Sequence, residues 1–292
     1  MIAKQFEEFY RDANRVSGGR LDILKNALAT FSATRASHAA AALAYYAIFS
    51  LFPLMLVLIA AGSYFLDRQQ VYQSVTNFVQ ETFPLSRTLI NDNLREILES
   101  RGAVGSIGLI TLLWSASGVF TNLAYHINLA WAKASHRSFF RIRLVGLGMI
   151  ATLTVLLLLS LIIGWITSLV PLFSVDAASS PLLNVWTFFS RLVSWLVIFL
   201  LYLALYYWVP TVKVDGMATL WAALTASIGW KVATACFGWY LRSGLGSYQL
   251  IYGSVGAIVA LLFLIFILSI ITLFGAHLCA AIDVWKKERA QA

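Results

Sequence analysis

The sequence predicts an all-α, polytopic membrane protein with six transmembrane helices. Three observations carry that reading. Of the 292 residues, 60% are hydrophobic and only 12% are charged, whereas soluble domains carry roughly a quarter charged residues. The apolar residues are gathered into six long runs. In the last of these, no Asp, Glu, Lys or Arg occurs between Arg242 and Asp283. A run of that length crosses a bilayer, and a backbone in hydrocarbon must satisfy its own polar groups, so each span is a helix.

Residues 1–38 precede the membrane and are expected to form two amphipathic cytoplasmic or interfacial helices. Ile2, Phe6, Phe9, Ala13 and Val16 recur at three- and four-residue steps on one helical face. Ser17, Gly18 and Gly19 break the pattern, and Leu21, Leu24, Leu28 and Phe31 resume it. Arg11, Arg15, Arg20, Lys25 and Arg35 surround these stripes, as in helices that lie on a membrane or pack beneath a bundle. The segment lacks the 7–15-residue apolar core of a signal peptide, so it is expected to remain on the mature protein.

The membrane domain is expected over residues 39–282. Its spans run from about 39 to 66, 103 to 131, 144 to 173, 183 to 209, 217 to 241 and 252 to 282. Each is long enough to cross ~30 Å of hydrocarbon. Pro53 in the first span cannot bond the Phe49 carbonyl and is expected to kink the helix. Ala39, Ala40, Ala41, Ala42 and Ala44 before it make a small-residue face for close helix contact. Between the first two spans, residues 67–102 are too long for a turn. Val71, Val75, Phe78 and Val79, then Leu89, Leu94, Ile97 and Leu98, predict two short helices in this outer loop. Residues 283–292 are expected to be a cytoplasmic tail.

Lysine and arginine set the orientation. Fourteen fall in one set of loops and termini and five in the alternate set, which places both termini in the cytoplasm. The net charge of +8 therefore reads as topology rather than as nucleic-acid binding. Cys236 and Cys279 both lie inside apolar runs and read as buried thiols, with no disulfide or metal site implied.

Polar groups inside spans are costly and mark pathways or partners. Arg191 lies about eight residues into the fourth span, and Lys231 about eleven residues before Arg242. They fall at similar depth, and no Asp or Glu lies in any span. Two cations at one depth call for water or an anion, so the pair points to a pocket for a phosphate or carboxylate. The glycine-rich turn with Tyr248 and Tyr252 leads into the sixth span nearest this layer, and both tyrosines join the candidate substrate site. His126 and His277 each lie about five residues from the cytoplasmic end of a span and are candidates for proton coupling. Asn128 and Tyr206 are expected to bond neighbouring helices. No Walker GxxxxGK[ST], HExxH, GxSxG or His/Cys/carboxylate cluster occurs, so neither a motor, a metal site, a cofactor nor an enzyme is expected.

Several of these runs resemble one family. They include Ala41 to Pro53; Trp114 to Gly118 with Asn128 to Trp131; and Pro210, Thr211, Val212 and Lys213. Gly246, Ser247 and Tyr248 with Tyr252 to Ala257 complete the set. Together they are similar to the YihY / virulence factor BrkB family of bacterial inner-membrane proteins, over about residues 36–283. The resemblance implies a multi-pass inner-membrane protein with six spans and cytoplasmic ends. Some members carry a ribonuclease BN label and others resemble envelope transporters. Two departures stand out: His277 follows Gly275 and Ala276 where the family often has an acid, and Tyr207 stands where an arginine commonly precedes the proline.

The expected function is transporter-like handling of an anionic amphipathic substrate, such as a phospholipid or lipid precursor, with membrane lipids as partners. A proton- or ion-coupled antiporter and a non-transporting scaffold are the alternatives. A homo-oligomer through small-residue faces, or envelope proteins at the 67–102 loop, would be further partners; nucleic acid would not.

Overall fold

The computed structural model describes residues 19–65, 101–132, 144–146, 148–149, 152, 181–243 and 254–291. Among the described residues every regular element is a helix. In chain order these are α1 (Arg20–Ala33), α2 (Ala36–Phe65), α3 (Arg101–Asn128), α4 (Pro181–Trp208), α5 (Gly216–Arg242) and α6 (Ser254–Gln291). Residues 144–146, 148, 149 and 152, at the start of the expected third span, are helical too. The expected helix at 2–16, the outer-loop helices at 71–98, most of the third span and the turn at 244–253 lie outside the described residues.

Most boundaries fall within three residues of the periodicity reading. α2 continues past Pro53. The main difference is α6, which runs to Gln291 rather than ending at Ile282. Its charged end is held as helix by side-chain bonds. Asp283 and Lys287, one turn apart, pair at 2.7 Å, and Lys286 reaches Asp215 at 2.8 Å.

The chain divides into two compact units. One joins α1, α3 from Leu123, α4, α5 as far as Lys231, and α6 from Ile270. The other holds α2 from His38, α3 as far as Asn122, α5 from Val232, and α6 as far as Ser269.

Along the first part of α5, small residues are inside and large apolar ones outside. On α5, Ala218, Ala222, Ala223, Ala226 and Ser227 are buried while Met217, Leu220, Trp221 and Ile228 are exposed. In water this would be inverted. In lipid it is favourable, because tails are as apolar as leucine and small faces let backbones approach. α5 and α6 are long and apolar enough to cross a membrane, over Gly216–Tyr240 and Ile258–Ala290. Among the described glycines the tightest setting is at Gly275, where a Cβ would fall on the Tyr206 hydroxyl and 3.2 Å from the Ala226 Cβ. Tyr206 donates to the Thr272 carbonyl at 2.8 Å, and the Tyr202 hydroxyl lies 3.1 Å from Thr272 Oγ1.

α1 packs on the end of α6. Gly19, at φ 85°, starts α1 in the left-handed region open to glycine, and a side chain there would meet the Trp285 indole. Trp285 carries the Arg289 guanidinium 4.1 Å above its ring. α1 ends at a bend in which Arg35 adopts φ 52°, closed by bonds from Thr34 N to Thr30 O and from Arg35 N to Ser32 O.

Candidate functional site

Three groups of polar residues stand out in the first unit. The first, set by helix position alone, comprises Arg191 and Lys231. Arg191 lies 17 residues before Trp208, the end of α4, and Lys231 lies 15 residues after Gly216, the start of α5. The intervening turn is short, so at 1.5 Å per residue the two positions sit ~26 and ~22 Å along helices that leave the same turn. Lys231 is half-buried.

The second group stitches the turn 209–215 to α3 and α6. Asn128, at the end of α3, accepts from Thr211 N at 2.7 Å and donates to the carbonyls of Ala124 and Val209. Beside it the buried Trp131 Nε1 and Thr211 Oγ1 have no hydrogen-bond partner among the described residues; both can donate. At the other end of the turn, the buried Asp283 accepts from Asp215 N at 2.9 Å and from the Lys287 ammonium. Lys287 also donates to the Lys213 carbonyl. Asp215 caps α5 by accepting from Ala218 N at 3.0 Å, and it pairs with Lys286. The Lys286 ammonium, helped by the backbone donors of the cap, holds the Asp215 carboxyl below the usual carboxylate range.

The third group centres on His277, which is 1% exposed. Thr30 and Thr34 of α1 approach its two ring nitrogens, and Phe31 meets the ring edge-on with centroids 5.7 Å apart. His126, packed edge-on against Tyr125, belongs to the same compact unit as His277. Tyr248 and Tyr252 lie outside the described residues, and Pro53 is described only as a position within α2.

The sequence of a family described as virulence factor BrkB matches this chain over residues 27–292. The chain belongs to that family. The BrkB match covers all six described helices apart from the first turns of α1. A ribonuclease-like protein of Bacillus subtilis, YfkH, is 28% identical over 91% of this chain and 97% of its own length. A UPF0761 membrane protein of Vibrio vulnificus is 28% identical over 82% of this chain and 75% of its own. A UPF0761 membrane protein of Legionella pneumophila is 26% identical over 87% of this chain, which spans 60% of that relative's length. No solved structure matches. With relatives named membrane proteins and its own apolar helices, this BrkB-family chain is a membrane protein.

Among the described residues, no three His, Cys, Asp or Glu gather as a metal would require. Both cysteines are free. Cys279 is buried as expected, but Cys236 is exposed. It lies on the face of α5 that also exposes Val232 and Trp239, so an apolar setting there means an outward face and not an interior. The aspartate clamp on the 209–215 turn was missed because Asp215 and Asp283 are 68 residues apart and each reads alone as an ordinary loop acid. The signal available was local: Asp215 stands three residues before Ala218 at a helix start, an N-cap position.

Proposed function

We propose that this BrkB-family protein is a transporter-like protein of the bacterial inner membrane that handles an anionic amphipathic substrate such as a phospholipid or lipid precursor. One observation supports the reading above others: Arg191 and Lys231 stand at similar depth on consecutive helices, in spans that contain no acidic residue. A phosphate or carboxylate carried to that depth would meet two cations. The remaining topology is proposed with it: interfacial helices over 1–38, six spans within 39–282, both termini cytoplasmic. The lysine and arginine asymmetry supports that orientation. The lipid itself is the partner, and the protein is read as a non-enzyme; the ribonuclease-like name belongs to the Bacillus relative.

The test is lipid movement in reconstituted vesicles. Arg191→Gln with Lys231→Gln should lower the rate about tenfold to a hundredfold, the worth of one or two lost charge-assisted bonds. Unchanged movement would overturn the reading.

A proton-coupled antiporter is the second reading, favoured by two histidines, His126 and His277, within one compact unit. It requires that alanine at both positions remove the pH dependence of flux. The scaffold alternative rests on the outer loop, which lies outside the described residues.

A further inference from the structure

His277 is engaged at both ring nitrogens by hydroxyls of α1. Thr34 Oγ1 lies 3.2 Å from Nε2, and Thr30 Oγ1 lies 3.1 Å from Nδ1. Each hydroxyl also reaches a carbonyl of its own helix. Thr30 Oγ1 is 2.8 Å from the Asn26 oxygen, and Thr34 Oγ1 is 2.9 Å from the Thr30 oxygen. A hydroxyl has one proton to donate, and a neutral imidazole has one N–H and one lone pair.

Counting those protons leaves two states. With a neutral ring, the ring N–H donates to one threonine. The other threonine must turn its O–H onto the bare ring nitrogen and release its helix carbonyl. With an imidazolium, both ring N–H groups donate, both threonines accept, and both O–H groups remain on the carbonyls of Asn26 and Thr30. Both carbonyls belong to α1, and Thr30 O also takes the backbone bond from Thr34 N at its end. Neither state leaves a ring nitrogen unpaired. One proton gained or lost at the imidazole, exchanged with solvent, forms or breaks one ring N–H bond and moves one hydroxyl through a rotation.

We propose that His277, Thr30 and Thr34 form a proton-binding site whose occupancy changes how α1 is tied to α6. The site lies beside the bend that joins α1 to α2, because Thr34 precedes Arg35 in its left-handed conformation. A change at the ring is therefore delivered to the start of the helix carrying the first span. The proposal goes beyond the anionic-substrate reading and does not depend on it.

The surrounding groups leave His277 as the titrating centre. From α1, Thr30, Phe31 and Thr34 face the ring, while Lys25 and Arg35 are exposed. From α6 itself, Phe274 packs on Phe31, and Asp283 is bonded to Asp215 N and Lys287. From α3, His126 is a titratable group of the same compact unit.

Hydrogen exchange on the full chain in lipid nanodiscs tests the site. Exchange of residues 20–35, corrected for intrinsic rates, is followed between about pH 3 and 8, wide enough to hold the titration of a buried histidine, beside ¹⁵N resonances of the His277 ring. The wild-type chain should show a several-fold change whose midpoint follows the His277 ring. His277→Asn, which offers one donor and one acceptor at every pH, should remove the change. Thr34→Val, which deprives the imidazolium of an acceptor, should shift the midpoint downward, and Thr34→Ser should restore it. If His277→Asn does not fold, that threonine pair carries the test. Corrected exchange that is flat with pH, a change that persists in His277→Asn, or a midpoint equal in Thr34→Val and wild type would each overturn the proposal. So would a change abolished by His126→Asn while the His277 ring still titrates.

Discussion

Between Ser254 and Ser269, α6 turns large apolar side chains outward: Ile258, Val259, Leu262 and Phe263 are all exposed. Between Ile270 and Gln291 the same helix buries Leu273, Ala276, His277, Cys279, Ala280 and Asp283. The first stretch is the more apolar, yet the second is the one whose position is fixed residue by residue. In a membrane the hydrophobic effect places a helix in lipid but does not choose its neighbours. That choice falls to close contacts and hydrogen bonds, and in α6 those made with the described residues gather after Ile270.

The comparison breaks most visibly at Gly275. Gly275→Ala would drive a methyl group onto the Tyr206 ring, 2.8 Å from Cζ, and toward the Ala226 Cβ. Overpacking of this kind costs about 3 kcal/mol, measured as loss of thermal stability in detergent. Tyr206→Phe removes the hydroxyl on which the methyl falls, so the double variant should be more stable than the two single losses summed. Additive losses would show that α4 and α6 approach less closely there than described.

The next effect is at Asp283. Asp283→Ala removes the acceptor shared by Asp215 N and Lys287, leaving a part-buried backbone donor without its protein partner. That should cost about 2 kcal/mol. Asp283→Asn, which keeps an acceptor for the backbone N–H, should recover part of the loss. Equal losses in the two variants would place the energy in the ion pair rather than in the backbone bond.

A smaller effect follows from the partner acid. The folded Asp215 carboxyl is held below its ordinary value, chiefly by the bond from Lys286. Its stabilising contribution is therefore fully present above the ordinary carboxylate value near 3.9 and is lost as pH falls through the depressed folded value. Asp215 and Lys286 are both more than a third exposed, so solvent screening keeps the contribution small. Stability measured from about pH 5 downward should fall less steeply in Asp215→Asn than in wild type. Curves that run parallel would remove Asp215 from the account.

These positions show which part of the molecule was legible in advance. Hydropathy and charge placed the described helices because length and apolarity are properties of one segment alone. The Asp215–Asp283 clamp and the threonines on His277 were not legible. Each joins residues far apart in sequence, 243 positions in the case of Thr34 and His277, and neither partner is unusual by itself. A threonine three residues after Phe31 reads as ordinary helix surface until α6 is laid against it. The reach of α6 past Ile282 was hidden similarly, because charges that mark the end of a span also extend a helix when they pair one turn apart.

The smallest effect belongs to the outward stretch of α6. Leu262 is exposed, and in a bilayer its neighbours there would be lipid tails as apolar as itself. Leu262→Ala removes only part-buried contacts that lipid can partly replace, so folding stability in lipid should change by about 1 kcal/mol or less. Leu273→Ala, at a fully buried position one half-helix away, removes packing that lipid cannot replace and should cost about 2–5 kcal/mol. If the two leucines cost the same, the exposed face at 258–263 would be covered by protein in the membrane, and the contrast between the halves of α6 would belong to the isolated chain alone. A small value at Leu262 beside a large one at Leu273 would instead locate the determinants of helix packing after Ile270, where the small residues, the histidine and the buried aspartate lie.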